Sequence, residues 1–390
     1  MEGSPLAETD VAVEPVPETA PERRPPEPPP NRAYLFVLRI VAALVVPIVA
    51  FGVLWWTFDF LKNEDANRVL VVVVALIVGV FGVFVLYYGM DRLTNQLPEG
   101  LADKVRPFVF VGPALVVLTV FLVYPAVNTI ILSFQDANSQ SFVGLDNFQS
   151  IFTDSGTLEA IRNSMLWVLI VPFISVSIGL GFATLADKLG RRAEAVSKSF
   201  IFLPMAISFV GASIVWRFVF NFRPEGFGEQ IGLLNGIWEG LGNSPVSWLL
   251  QEPWNNFMLM VIMIWLQTGF AMVILSSAIK AVPDEILEAA RVDGASELQV
   301  FWRVTFPSIS STLVVVMTTV VITVWKLFDI VFVMTGGQFG TSVVAERMVT
   351  EFFTLRNNGV GAALAVILFI AVIPLMVLNI KRFKEQEETR

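Results

Sequence analysis

Apolar residues fall in long unbroken runs along this chain, separated by short polar connectors. A hydrocarbon layer about 30 Å thick takes about 20 helical residues to cross, and eight runs reach that length. They extend from Phe36 to Phe60, Val69 to Met90, Phe108 to Leu132, Leu166 to Leu185, Phe200 to Phe220, Phe257 to Ile279, Leu313 to Thr335 and Ala362 to Ile380. The pattern predicts an all-α integral membrane protein with eight transmembrane helices. Arg39 and Asp59 trim the uncharged centre of the first run. Long basic side chains near a helix end reach back to the interface, so this run still counts as a span.

Composition narrows the chemistry. Apolar residues make up 55% of the 390 and charged ones only 15%, against about a quarter charged in soluble domains. Cysteine and histidine are both absent. That removes disulfides, thiol nucleophiles, imidazole bases and nearly every zinc or copper site. No constellation for an intramembrane enzyme remains, so the chain is expected to be non-catalytic and to bind no cofactor or metal. Half of the net charge of −8 sits in residues 1–32, which hold seven carboxylates against three arginines. This segment, with its Pro25-Pro26-Glu27-Pro28-Pro29-Pro30 run, has little apolar surface to bury and is expected to be a disordered cytoplasmic tail. It lacks the apolar core of a secretory signal, so the first span is expected to stay attached.

Lysines and arginines set the orientation. With the N-terminus inside, cytoplasmic segments collect eighteen of them, among them Lys188, Arg191, Arg192, Lys280 and Arg291, against seven on the other face. Positive charge favours the cytoplasm, so both termini are placed there, in the cell membrane.

A polar island, residues 281–310, then falls on the cytoplasmic side between the sixth and seventh runs. Pro283 followed by Asp284 and Glu285 is a helix start, with acids at the positive end of the dipole. Leu287, Glu288, Ala289 and Ala290 continue the helix, and Gly294 ends it. Ser296 with Gln299 three residues on has capping-box form and starts a second helix, which Pro307 limits. Ala289 and Ala290 offer a low surface beside Glu288 on which a partner can dock. A solvated connector joining two spans would show the same pattern.

Glu288-Ala289-Ala290, with Asp293 and Gly294 following and Phe301, Val304 and Pro307 beyond, resembles the EAA loop of ABC importer permeases, including the common EAARVDGA extension. The resemblance covers roughly Val105 to Lys384. It implies a six-helix type I core over residues 105–384, with two extra N-terminal helices over 33–104, like the larger permease of maltose-type importers. In that family the loop is two short cytoplasmic helices that dock into the ATP-hydrolysing subunit. Phe306 stands where the family usually has Leu before the proline, and Ser310 lies where a second proline is common. Phe142-Val143-Gly144-Leu145-Asp146-Asn147-Phe148, with Arg162-Asn163-Ser164, is similar to the external segment of sugar permeases. Trp265 to Phe270 and Lys326 to Asp329 look like the α-glucoside branch. The connection of about Ser133 to Ser164 is too short for the large external insert of the maltose-type subunit.

The implied assembly joins this chain to a second permease, two ATP-binding subunits that hold ATP and magnesium, and an extracytoplasmic solute-binding protein, all in membrane lipid and without nucleic acid. The implied solute is a sugar, an α-linked disaccharide or oligosaccharide. The chain itself has no Gly-rich loop ending in Gly-Lys-Ser/Thr to cradle phosphates, and Thr335-Gly336-Gly337-Gln338 is read as a turn.

A candidate solute pathway comes from polar residues within the runs. Lys326 near the middle of the seventh run is costly in lipid unless it faces the bundle, and Asp329 lies one turn away to neutralise it. With Trp325 and Phe328 they form a sugar-binding patch, a structural ion pair, or the relay of an ion-coupled secondary transporter. No internal repeat of the kind such transporters carry is evident. Trp265, Gln267 and Thr268 either line the same path or pack helices. Trp238, Trp248 and Trp254 are expected at the membrane boundary or against a binding protein.

Overall fold

The computed structural model describes residues 52–53, 55–62, 67–94, 99–224 and 226–388. The expected tail and most of the first expected span lie outside these residues. The chain divides into two compact units, one ending at Val120 and the other beginning at Phe121.

In the first unit, α1 (Arg68–Thr94) packs against α2 (Glu99–Leu118). Tyr87 stacks on Phe110 and donates its hydroxyl to the Phe110 carbonyl at 3.2 Å. α1 exposes large apolar residues such as Leu70, Phe81 and Phe84, as a helix bathed in lipid does.

The second unit is helical throughout its described residues apart from turns and one isolated bridge between Gln135 and Phe142. It runs through α3 (Tyr124–Leu132), α4 (Asp146–Ile151), α5 (Ser155–Asp187), α6 (Arg191–Phe202), α7 (Phe209–Val219), α8 (Leu233–Gly240) and α9 (Trp254–Lys280). After these come α10 (Asp284–Val292), α11 (Glu297–Val300), α12 (Phe306–Ser308), α13 (Ser310–Trp325), α14 (Asp329–Met334), α15 (Val344–Val349) and α16 (Asn358–Glu388).

α5 and α9 form the spine. Their contact depends on small residues: a Cβ at Gly179 would lie 2.7 Å from the Ala271 Cβ and 2.9 Å from the Met272 backbone nitrogen. Lipid gives helices no hydrophobic drive to associate, so close backbone approach and van der Waals contact hold them together. Around the spine, buried Trp167, Val171, Leu259, Met263, Leu266, Met272, Val316 and Val320 make one core. A second cluster joins Ile151, Trp325, Val344, Ala363 and Leu364 where α16 packs against α4 and α15.

Four described helices are long and apolar enough to span: Arg106–Leu132, Ser155–Asp187, Trp254–Lys280 and Asn358–Lys381. Two broken pairs raise the number to six if each counts as one span. The eight expected runs therefore do not map one to one onto straight helices. The expected fifth span is broken at Ile207, where α6 with its following turn meets α7 at 100°. There Ser208 is extended and caps α7 by accepting from the Gly211 N–H. The expected seventh span stops at Trp325, and α14 starts only after a break at Lys326–Phe328.

Candidate functional site

The polar island folds as a helical hairpin. α10 carries Asp284 and Glu285 in its first turn and Arg291 in its last, each sign at the end the helix dipole favours. Gly294 turns the chain with φ of +85° and has open space around it. Ser296 precedes α11, and the Gln299 side chain accepts the Ser296 N–H at 2.8 Å. The second arm is not one helix. α11 passes through a wider π turn at Phe301–Thr305 into α12, and one residue past Pro307 and Ser308, at Ile309, the chain bends by 69° into α13. The five-residue π turn removes the strict i to i−4 register that a single regular helix needs.

Arg291 clasps the two arms by donating from Nε to Glu297 at 2.8 Å. This hydrogen bond, with the charges of Glu297, Glu288 and Asp284, raises the Arg291 pKa above its already high ordinary value. Glu288, Ala289, Asp293, Gly294 and Pro307 are exposed, while Ala290 is half-buried. Val292 is 87% exposed and Leu298 68%, so the hairpin tip presents apolar surface next to Glu288. The underside is anchored by Leu287 and Phe301, which pack on the main core beside buried Ile309. At the base, Glu194 of α6 pairs with Lys198 and takes Lys280, the last residue of α9, at 2.6 Å. The hairpin thus continues directly from α9 and is tied through it to the bent α6–α7 pair.

Within the helices, a cleft of about 200 Å³ is lined by Met205, Phe209, Leu266, Gln267, Phe270, Thr319 and Thr323. Gln267, in mid-α9, is 7% exposed, and no hydrogen bond holds its amide among the described residues. Thr319 and Thr323, one turn apart on α13, donate to the carbonyls of Val315 and Thr319, which leaves their oxygens as acceptors toward the cleft.

The other expected pathway residues are placed elsewhere. Trp265 packs edge-on against Trp216 at 5.7 Å. Thr268 is buried and donates back to the Ile264 carbonyl. Trp325 is 6% exposed, and its indole N–H donates to the Leu368 carbonyl at 3.2 Å, so it is a core residue that cannot stack on a solute. Phe328 stacks on Phe332 at 4.8 Å. The expected Lys326–Asp329 ion pair is not formed among the described residues. The reason is the break in the helix: Lys326 is the exposed C-cap of α13, and Asp329 opens a separate helix. Sixteen residues rise about 24 Å, so Lys326 ends a span rather than bisecting it. Sequence reasoning missed Thr319 and Thr323, because threonine is common in lipid-facing helices and only packing shows which face meets Gln267.

At the far end of α9, the loop after α14 is held by three buried amides. Asn163 donates to the carbonyls of Gly340 and Ser342, Asn256 to Gly340, and Asn255 to Phe339. Thr335–Gln338 begins this loop as a turn.

Residues 175–385, which contain the last part of α5, all of α9, the cleft and the whole hairpin, match the family described as Binding-protein-dependent transport system inner membrane component. The chain belongs to this family. Its relatives include the Osmoprotective compounds uptake permease protein GgtC of Synechocystis, 56% identical over 281 residues, which are 72% of this chain and all of that protein. The Alpha-glucoside transport system permease protein AglF of Rhizobium meliloti is 46% identical over 282 residues, 72% of this chain and 83% of the relative. Among solved structures, a chain of a bacterial ABC transporter involved in the import of the acidic polysaccharide alginate superposes with a TM-score of 0.62. At 18% identity over 74% of this chain and 98% of that one, it shows a shared fold. As an inner membrane component of an ABC transporter, this permease is a membrane transport subunit, and the ion-coupled reading of Lys326 and Asp329 loses both its family and its geometric basis.

Proposed function

We propose that this permease forms, with a second permease, the pathway of an importer for a sugar of the α-glucoside class, an α-linked disaccharide or oligosaccharide. An extracytoplasmic binding protein delivers the solute, and two separate ATP-binding subunits, which hold ATP and magnesium, drive transport. The relative named for α-glucoside transport supports the solute class. Gln267, halfway along α9, and Thr319 and Thr323, in the second half of α13, supply hydroxyl-recognising groups, and Phe209 and Phe270 supply apolar faces beside them.

The observation that carries the mechanism is the clasped hairpin, exposed at its tip and continuous with α9 at its root. ATP-driven closure of the motor subunits pushes on Glu288, Ala289 and the Gly294 turn. α9 and α13, which meet the hairpin at its two ends, convert that push into a change of bundle packing that opens one side of the cleft or the other. The orientation follows from the charge asymmetry, with both termini and the hairpin in the cytoplasm. Residues 33–104 add two helices to the core of 105–384.

The test uses the assembled transporter in vesicles. Glu288→Arg and Gly294→Trp are expected to insert and assemble normally while solute uptake and solute-stimulated ATP hydrolysis fall together. Glu288→Arg changes an exposed side chain, whereas Gly294→Trp also strains a turn held at φ of +85°, so the amount of each variant assembled in the membrane is measured and uptake and ATP hydrolysis are read per assembled complex. Full coupling in both variants would overturn the contact, and uptake driven by a proton gradient without ATP would overturn the importer class.

A further inference from the structure

A second pocket lies at the opposite end of α9 from the hairpin, with a volume of about 570 Å³. Its two halves differ in chemistry. The upper rim holds Arg162 of α5 and Glu252, and neither makes an ion pair or hydrogen bond among the described residues. Between them, the floor is Asn163, 3% exposed. Its amide nitrogen is fully used on Gly340 and Ser342, but its side-chain oxygen accepts nothing among the described residues. Gly340, with φ of +68°, lets the Glu252 carboxylate sit directly against the loop backbone, where any Cβ would collide with it. Below the rim the lining turns apolar. Met165 and Leu169, one turn apart on α5, are 51% and 72% exposed. From Arg162 to Leu169 the helix descends about 10 Å.

Exposed Trp254, two residues beyond Glu252, marks the depth. An indole that is 59% exposed at the start of a membrane span sits at the headgroup level. The charged rim therefore lies at the membrane surface and the apolar wall within the outer part of the hydrocarbon.

We infer that this pocket binds a zwitterionic aminophospholipid such as phosphatidylethanolamine. Arg162 takes the phosphate, Glu252 with the Asn163 oxygen takes the primary ammonium, and an acyl chain lies along Met165 and Leu169. A guanidinium pairs with phosphate through two N–H groups, and an ammonium needs acceptors only, which is what Glu252 and the free Asn163 oxygen provide. A choline headgroup keeps its charge but has no N–H to donate, so it loses the hydrogen bonds to Glu252 and the Asn163 oxygen. A glycerol headgroup offers hydroxyls but no positive charge, so it gives Glu252 weaker hydrogen bonds than an ammonium does.

The chain has no cysteine, which makes the experiment clean. The assembled transporter is placed in nanodiscs of phosphatidylcholine containing a minor share of phosphatidylethanolamine or of phosphatidylglycerol, and retained lipid is counted by native mass spectrometry. The parent complex is expected to retain phosphatidylethanolamine over phosphatidylcholine by roughly tenfold, the factor one charge-assisted contact supplies. Glu252→Gln is expected to bring that preference below about threefold, while Arg162→Gln weakens retention of both lipids. Equal retention of the two lipids by the parent complex overturns the proposal. A single Met165→Cys provides an independent arm: lipid-borne nitroxide is expected to quench a label there. Crosslinking of that cysteine to the second permease or to the binding protein would show that a protein fills the pocket, and would also overturn it.

Discussion

Adding one methyl group to α5 at Gly179 tests the spine on which the hairpin mechanism depends. In Gly179→Ala the new Cβ lies 2.7 Å from the Ala271 Cβ and 2.9 Å from the Met272 backbone nitrogen, where ordinary contact begins at 3.4 Å. Neither neighbour is the end of a flexible side chain, so α5 and α9 must separate by about 0.5–1 Å, the kind of overpacking that costs about 1–3 kcal/mol. Alanine also gains about 1 kcal/mol over glycine in a helix, which would mask part of that cost. Gly181, two residues along the same helix, supplies the correction: a Cβ there meets nothing within 4 Å. The difference between the two variants cancels the propensity term and leaves about 1–3 kcal/mol in favour of Gly181→Ala. Unfolding of the purified protein by titration of mild detergent with dodecyl sulfate reads this difference directly. Because α9 ends at Lys280, where the hairpin begins, Gly179→Ala is also expected to lower coupled transport while Gly181→Ala leaves it unchanged. Equal unfolding midpoints would refute the claim that these helices meet through backbone contact.

Two further outcomes follow from buried groups outside the pathway. Trp325→Ala empties the centre of the second core cluster and removes the indole hydrogen bond to the Leu368 carbonyl. A loss of about 3–5 kcal/mol in the same titration is expected, whereas a solute-stacking role would change transport with little effect on stability. Glu351 is 5% exposed, and burial raises its pKa despite the Arg347 guanidinium at 2.9 Å. Between the ordinary glutamate value and that raised one, the folded protein holds a proton the unfolded chain has lost, so stability is full at lower pH and declines as pH rises through the window. Glu351→Gln is expected to flatten this decline, and an unchanged slope in melting temperature against pH would contradict it.

Local pattern was sufficient for the membrane class, the helical architecture and the hairpin. Pro283, the acids of the first turn, Gly294 and the Ser296/Gln299 pair act within a few residues of themselves, and the folded hairpin has its arms where these signals put them. The Arg291–Glu297 clasp was less visible, because six residues across a glycine turn is not a helical spacing. Hydropathy alone merged segments that the fold separates. The run through Phe200–Phe220 is continuous in apolarity yet bends at Ile207, and the run through Leu313–Thr335 stops at Trp325.

Read alone, the chain of residues says that it lives in lipid, that it carries a polar helical hairpin between two apolar runs and that it holds no nucleotide-binding loop, because each of these depends on composition or on neighbours a few positions apart. It places Trp325, Lys326, Phe328 and Asp329 together, and the fold parts them. Which helix face turns inward is settled by contacts between residues far apart in sequence, such as Gly179 on Ala271 and Gly269 against the Ile201 carbonyl. Those contacts bury Trp325, set Gln267 opposite Thr319 and Thr323, and leave Arg162 and Glu252 facing an open pocket. Hydrophobic periodicity cannot report such rotations in lipid, where the outside of a helix is as apolar as its inside.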